Sequence, residues 1–63
     1  MELNMTQFRV LIGVGNAAFD PEPGYEIARI LREVADKIEG GQTDGGALDI
    51  NGNSVGKFGF RSE

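Results

Sequence analysis

The sequence predicts a small α+β domain with the order β-α-β-β: a three-stranded, mainly antiparallel sheet with one helix packed on one face. Three observations lead there. Apolar residues alternate with a period of two near the N-terminus, and they recur with a helical period in the middle. An Asn-Gly turn then separates two short apolar runs near the C-terminus. A chain of 63 residues holds one domain, 1–63, and no second one.

The first strand is expected over Thr6–Val14, where Phe8, Val10, Ile12 and Val14 alternate with Gln7, Arg9, Leu11 and Gly13. Leu11, on the otherwise mixed face, hints that both faces meet something apolar. Asn16–Gly24 is a connection. In it Asp20 can cap a helix with Pro21 in the first position, and Phe19 precedes the cap as a hydrophobic staple would. Pro23 biases Glu22 away from helical angles, so the start can equally fall near Gly24.

The helix is expected from about Tyr25 to Glu39. Ile27, Ile30, Leu31, Val34, Ala35 and Ile38 form its apolar stripe, and charged residues occupy the rest. Glu33–Lys37 and Arg32–Asp36 have the spacing of helical ion pairs. Gly40 then suits a left-handed C′ position. Gly40–Gly46 reads as a flexible link. Ala47–Ile50 and Val55–Phe60 flank Asn51-Gly52-Asn53-Ser54 as a hairpin. Parity places Leu48, Ile50 and Val55 on one face and Phe58 and Phe60 on the other, unless a bulge at Gly56 or Gly59 restores register. The pattern leaves strand order open, and the helix can also return strand two parallel to strand one.

Composition excludes several kinds of chemistry. Without cysteine there is no disulfide, and without cysteine or histidine a zinc site lacks its usual ligands. Extra stability then comes from a regular fold or from a partner chain. Ten acidic against six basic residues, net charge −4, argue against direct nucleic-acid binding through the phosphate backbone. No apolar run reaches the ~20 residues that span a bilayer, and no signal peptide is visible. A cytoplasmic protein without a membrane segment is the expectation.

Motifs that suggest chemistry fall short of it. Gly13-Val14-Gly15-Asn16-Ala17-Ala18 fits a dinucleotide pattern, yet Asp20-Pro21-Glu22-Pro23 delays the helix and would set carboxylates against phosphates. Asp49, Asn51 and Asn53 match three positions of a calcium loop, but Ser54 and Phe60 stand where its glycine and bidentate glutamate belong. Hairpin chemistry explains that cluster better. No residue set supplies an activated nucleophile. The expectation is no enzyme, no cofactor and no metal.

Surface recognition remains. The charged helix face with Glu26, Arg29, Arg32 and Glu33, and the loop with Asn16 and Phe19, are the candidate partner-binding residues. Leu11, Val55, Phe58 and Phe60 are the candidate dimer interface. The competing reading of Arg29 and Arg32 is that they pair with Glu26, Glu33 and Asp36 on the helix surface.

Phe8–Ile12 (F-R-V-x-I), Asn16–Phe19 (N-A-A-F), Glu26–Arg32 (E-I-A-R-I-L-R), Ala35–Gly40 (A-D-K-I-E-G) and Leu48–Gly56 (L-D-I-N-G-N-S-V-G) together resemble a group of short proteins from bacterial, prophage and phage genomes. The resemblance covers nearly the whole chain and contains no catalytic motif. It implies an accessory product of a mobile element. By analogy of size and context, it suggests an anti-defence or anti-CRISPR-like inhibitor that binds and blocks a host protein complex, as a homodimer. The alternatives are a module binding a small, nucleotide-like anion and a structural assembly subunit.

Overall fold

The computed structural model describes residues 5–62. Strand β1 spans Met5–Ile12, a single 3-10 turn spans Ala17–Phe19, and helix α1 spans Pro23–Glu39. Strands β2 (Asp44–Leu48) and β3 (Ser54–Ser62) follow. The sheet order is β1-β3-β2 and both pairings are antiparallel. The fold is thus the expected α+β arrangement, with β3 in the centre and β1 and β2 as edges.

Element ends differ from expectation for local reasons. Helix α1 starts at Pro23, not Pro21, because Glu22 is held extended at φ −120°, ψ 91° and becomes the N-cap. Asp20 instead closes the 3-10 turn, its N–H donating to the Ala17 carbonyl. At the other end Gly40 is right-handed (φ −77°), and Gly41, at φ +105°, takes the left-handed position. Gly41 N–H donates to Ile38 O and Gln42 N–H to Lys37 O, both at 3.0 Å, the paired bonds of a Schellman close. The expected link also proves shorter, since Asp44, Gly45 and Gly46 pair with β3 as three of the five residues of β2. Their glycines hid a strand whose stability comes from its ladder bonds, not its side chains.

The helix meets the sheet through a narrow stripe. Phe19, Ile30, Val34, Ala47 and Phe58 are buried, with Val10, Ile12, Ala18, Ile27, Ile38 and Val55 packed around them. Leu31 and Ala35, expected in the stripe, are exposed, because one three-stranded layer is too narrow to cover them. The face assignments of the hairpin need correction. Ala47, not Leu48 or Ile50, points into the core, and Leu48 and Ile50 are exposed. Pairing moves from Ala47↔Gly56 to Leu48↔Ser54, so Val55 stands unopposed as a bulge. The bulge thus falls at Val55, not at Gly56 or Gly59 as expected, and Val55 and Phe58 pack on the same core.

Register fixes the rest. Phe8↔Phe60, Val10↔Phe58 and Ile12↔Gly56 lie on the helix side, while Gln7, Arg9, Leu11, Lys57, Gly59 and Arg61 lie on the outer side. Because β2 begins opposite Gly59, the ends of β1 and β3 beyond it form a two-stranded ribbon past the helix. The radius of gyration, 13.0 Å, reflects that overhang. A compact chain of this length has one of about 10.6 Å.

Candidate functional site

Several residues expected at a partner surface are committed inside the fold. Phe19 is buried at the centre of the core and offers no surface. Asn16 caps the 3-10 turn by accepting from Ala18 N–H at 2.8 Å, and its Nδ2 donates to Asp49 Oδ2 at 2.8 Å. Asp49, itself buried, accepts on Oδ1 from the N–H groups of Asn51 (2.9 Å) and Asn53 (2.8 Å). Its Oδ2 also accepts from Asn53 Nδ2 at 3.2 Å. The carboxylate therefore organises its own hairpin and ties it to the β1–α1 loop. Its oxygens meet four internal donors where a calcium loop would hold an ion. Among the described residues no cluster of three acidic side chains could hold a metal ion.

Glu26 and Arg29 form a second internal anchor. Arg29 Nε donates to Glu26 Oε1 at 2.8 Å and Nη2 donates to Oε2 at 3.0 Å, a bidentate pair. Glu26 is buried and its Oε2 also accepts from Ile50 N–H at 2.8 Å, joining the helix to the hairpin loop. Arg29 further donates to Glu33 Oε2 at 2.7 Å, so Glu33 pairs with Arg29 and not with Lys37. Arg32 is exposed. A concavity of about 320 Å³ beside this anchor is walled by Pro21, Tyr25 and Ile50, with Arg29 already engaged.

Both carboxylates are held below their ordinary range. For Glu26 the Arg29 hydrogen bond outweighs burial, and the Ile50 N–H adds to it. For Asp49 burial opposes ionisation, but the bonds from Asn53, Asn16 and Asn51 outweigh it together. A depressed folded-state pKa adds stability above the unfolded value, and that stability is lost as pH falls through the folded value. Unfolded carboxylates titrate near about 4. Resistance to urea is therefore expected to hold steady at neutral pH and decline below about pH 5 as both groups take up protons. Glu26→Gln should flatten that decline. An unchanged acid limb in this variant would refute Glu26's part in it.

The exposed chemistry lies instead on the outer face of the sheet. Arg9, Lys57 and Arg61, three of the six basic residues, surround Gly59 there. Arg9 is directly opposite Gly59, and Lys57 and Arg61 lie two residues to either side. Asp44, opposite Gly59 on β2, is the acidic side chain among them. Arg9 is steadied by Gln7, whose Oε1 accepts from Nε at 2.9 Å and from Nη2 at 2.7 Å. Leu11, 65% exposed, adds an apolar contact beside Lys57. A concavity of about 820 Å³ follows these strands, with Arg9, Leu11, Lys57 and Arg61 among its lining residues.

The four residues expected at a dimer interface do not share a face. Leu11 is on the outer side, Phe60 is 44% exposed on the helix side, Val55 is half-buried, and Phe58 is a core residue. Spacing alone could not reveal this, because the sign of β3's parity depends on the Val55 bulge. The outer-face cations were legible only as scattered charges until β1 and β3 were paired. Among the described residues no helix is long and apolar enough to cross a membrane. In comparisons with known proteins, no family model, no curated protein and no solved structure matches this chain, and its function has to be argued from its own chemistry.

Proposed function

We propose that this is a small non-catalytic interaction protein of phage or prophage origin that binds and blocks a host protein complex through the outer face of its sheet. The observation that carries the reading is the concentration of Arg9, Lys57 and Arg61 around Gly59, with exposed Leu11 at the Lys57 end, on ladder-held strands, in a chain of net charge −4. Such a face suits an acidic protein surface with an apolar contact at one end. The anti-defence context comes from the sequence resemblance. Capture of a small nucleotide-like anion by Arg29 has less support, because its guanidinium already donates to Glu26, Glu33 and the Leu48 carbonyl.

Affinity capture from host lysate, compared across variants, tests the reading. Arg9→Glu/Lys57→Glu is expected to weaken retention of the bound protein by about tenfold or more, and raised salt to weaken it further. Arg32→Glu, on the helix, should leave retention unchanged. Undiminished capture by the double variant, or recovery of nucleic acid in place of protein, overturns the proposal.

A further inference from the structure

The two edges of the sheet are treated differently. On β2 the outward carbonyls are capped by side chains of this same chain. Gln42 Nε2 donates to Asp44 O at 3.0 Å, Lys37 Nζ to Gly46 O at 3.4 Å, and Arg29 Nη2 to Leu48 O at 3.2 Å. These caps occupy the acceptors that a further strand would need. On β1 the bond from Gly13 N–H to Val55 O, at 2.7 Å, sets the phase of the ladder. Leu11 and Arg9 then turn their backbone groups to β3, while Phe8, Val10 and Ile12 turn theirs outward. No side-chain cap meets Phe8–Ile12 among the described residues. The eight residues of β1 contain one charge, Arg9, and no proline, and the register shift between Met5 and Gln7 lies outside Phe8–Ile12, so this stretch lacks the usual deterrents to strand addition.

We infer that β1 pairs antiparallel with β1 of a second copy, giving a continuous six-stranded sheet β2-β3-β1-β1-β3-β2. The uneven cover of the sheet argues for a second copy over another occupant. Helix α1 covers the Ile12 end of β1 and leaves the Met5–Phe8 end bare, with Met5 51%, Phe8 40% and Phe60 44% exposed. A two-fold axis normal to the sheet keeps both helices on one side. It brings the bare end of each β1 beside the helix-covered end of its partner. Phe8, already in edge-to-face contact with Phe60 at 5.1 Å, then finds apolar cover beside Ile12 of the second copy. A stable dimer buries roughly 800 Å² per partner, about a sixth of the 4625 Å² surface of this chain. The overhang adds apolar area that strand pairing alone lacks. The inference does not depend on the outer face binding an acidic protein. The two-fold axis leaves both cationic faces on the side opposite the helices.

Amide hydrogen exchange followed residue by residue, beside sedimentation equilibrium, tests it. Between about 10 μM and about 1 mM protein, the N–H groups of Phe8, Val10 and Ile12 are expected to slow by about tenfold or more. Those of Arg9 and Leu11, bonded to β3, should be slow throughout. Phe8→Glu is expected to sediment as a monomer with its helical circular dichroism intact. Should that variant not fold, Phe60→Glu, on the same exposed ribbon, gives the same reading. A wild-type monomer at about 1 mM overturns the inference. So does a dimer in which the Phe8, Val10 and Ile12 amides exchange freely, or one that persists in a folded variant. Charge reversal at Arg9 and Lys57 that abolishes host-protein capture but leaves the dimer intact separates this inference from the proposed function.

Discussion

Gly56→Ala is expected to lose about 3 kcal/mol, the upper end for overpacking, and to leave the chain marginally stable at room temperature. A Cβ at this position would fall well inside van der Waals contact of the Leu11 carbonyl oxygen, and at 2.9 Å from its carbonyl carbon. Both are backbone atoms of β1. That carbonyl is fixed by the ladder, since Leu11 stands opposite Lys57 in a bonded pair, so no rotamer change relieves the clash. The two strands must separate, and β3 is the strand through which β1 and β2 are joined. A domain this small has only about 3–5 kcal/mol to lose. Gly46→Ala is the matched control. The nearest atom to its added Cβ is the Gly56 carbonyl oxygen at 3.9 Å, an ordinary contact. Its effect should stay within about 0.5 kcal/mol. Urea unfolding of the two variants measures the difference, and equal midpoints would show that β1 and β3 do not approach as closely as described.

That contrast also marks what the residues alone reveal. Elements with a side-chain period are legible. The stripe Ile27, Ile30, Val34 and Ile38 identifies the helix, and Phe8, Val10 and Ile12 identify β1 with its inward face. Asn51-Gly52 identifies the hairpin, where Gly52 takes φ +84°. Elements defined by backbone pairing are not legible. Asp44-Gly45-Gly46 has no period, so three of the five residues of β2 read as a link. The Val55 bulge reverses the parity of everything after it, which moves Phe58 from a supposed surface to the core. The candidate site divides along the same line. Asp49 near its own turn is readable as a local hydrogen-bond acceptor, whereas its bond to Asn16, thirty-three residues away, is not. Arg29 and Glu26 are readable as a helix pair, but their reach to Leu48 and Ile50 depends on where the hairpin loop docks. Glu26 and Arg29, chosen for their charge on a helical wheel, thus turn out to be anchors, while Arg32 stays exposed. The cluster of Arg9, Lys57 and Arg61 exists only once β1 and β3 are aligned.

Replacing Asp49 by Ala should lower the thermal midpoint by on the order of 10 °C, because it removes the acceptor of four partly buried hydrogen bonds at once. The four donors are the N–H groups of Asn51 and Asn53 and the side-chain amides of Asn53 and Asn16. Asp49→Asn should fall between wild type and Ala. Its remaining oxygen can keep the two backbone bonds, but its amide nitrogen then faces the Nδ2 groups of Asn16 and Asn53. Asn53 can rotate its amide to present oxygen. Asn16 cannot, because its own oxygen is committed to Ala18 N–H at 2.8 Å. The unresolved clash between positions 16 and 49 is therefore the specific cost of the asparagine. Asn16→Asp supplies an acceptor there while still capping Ala18. The double variant Asp49→Asn/Asn16→Asp is consequently expected to recover much of the loss, with a midpoint above that of Asp49→Asn alone. Additive losses in that double-mutant cycle would mean that Asp49 and Asn16 act independently, and that the β1–α1 loop is not tied to the hairpin through their contact. Recovery would establish that the turn bearing Asn51-Gly52 and the loop leaving β1 are held as one unit by a single carboxylate.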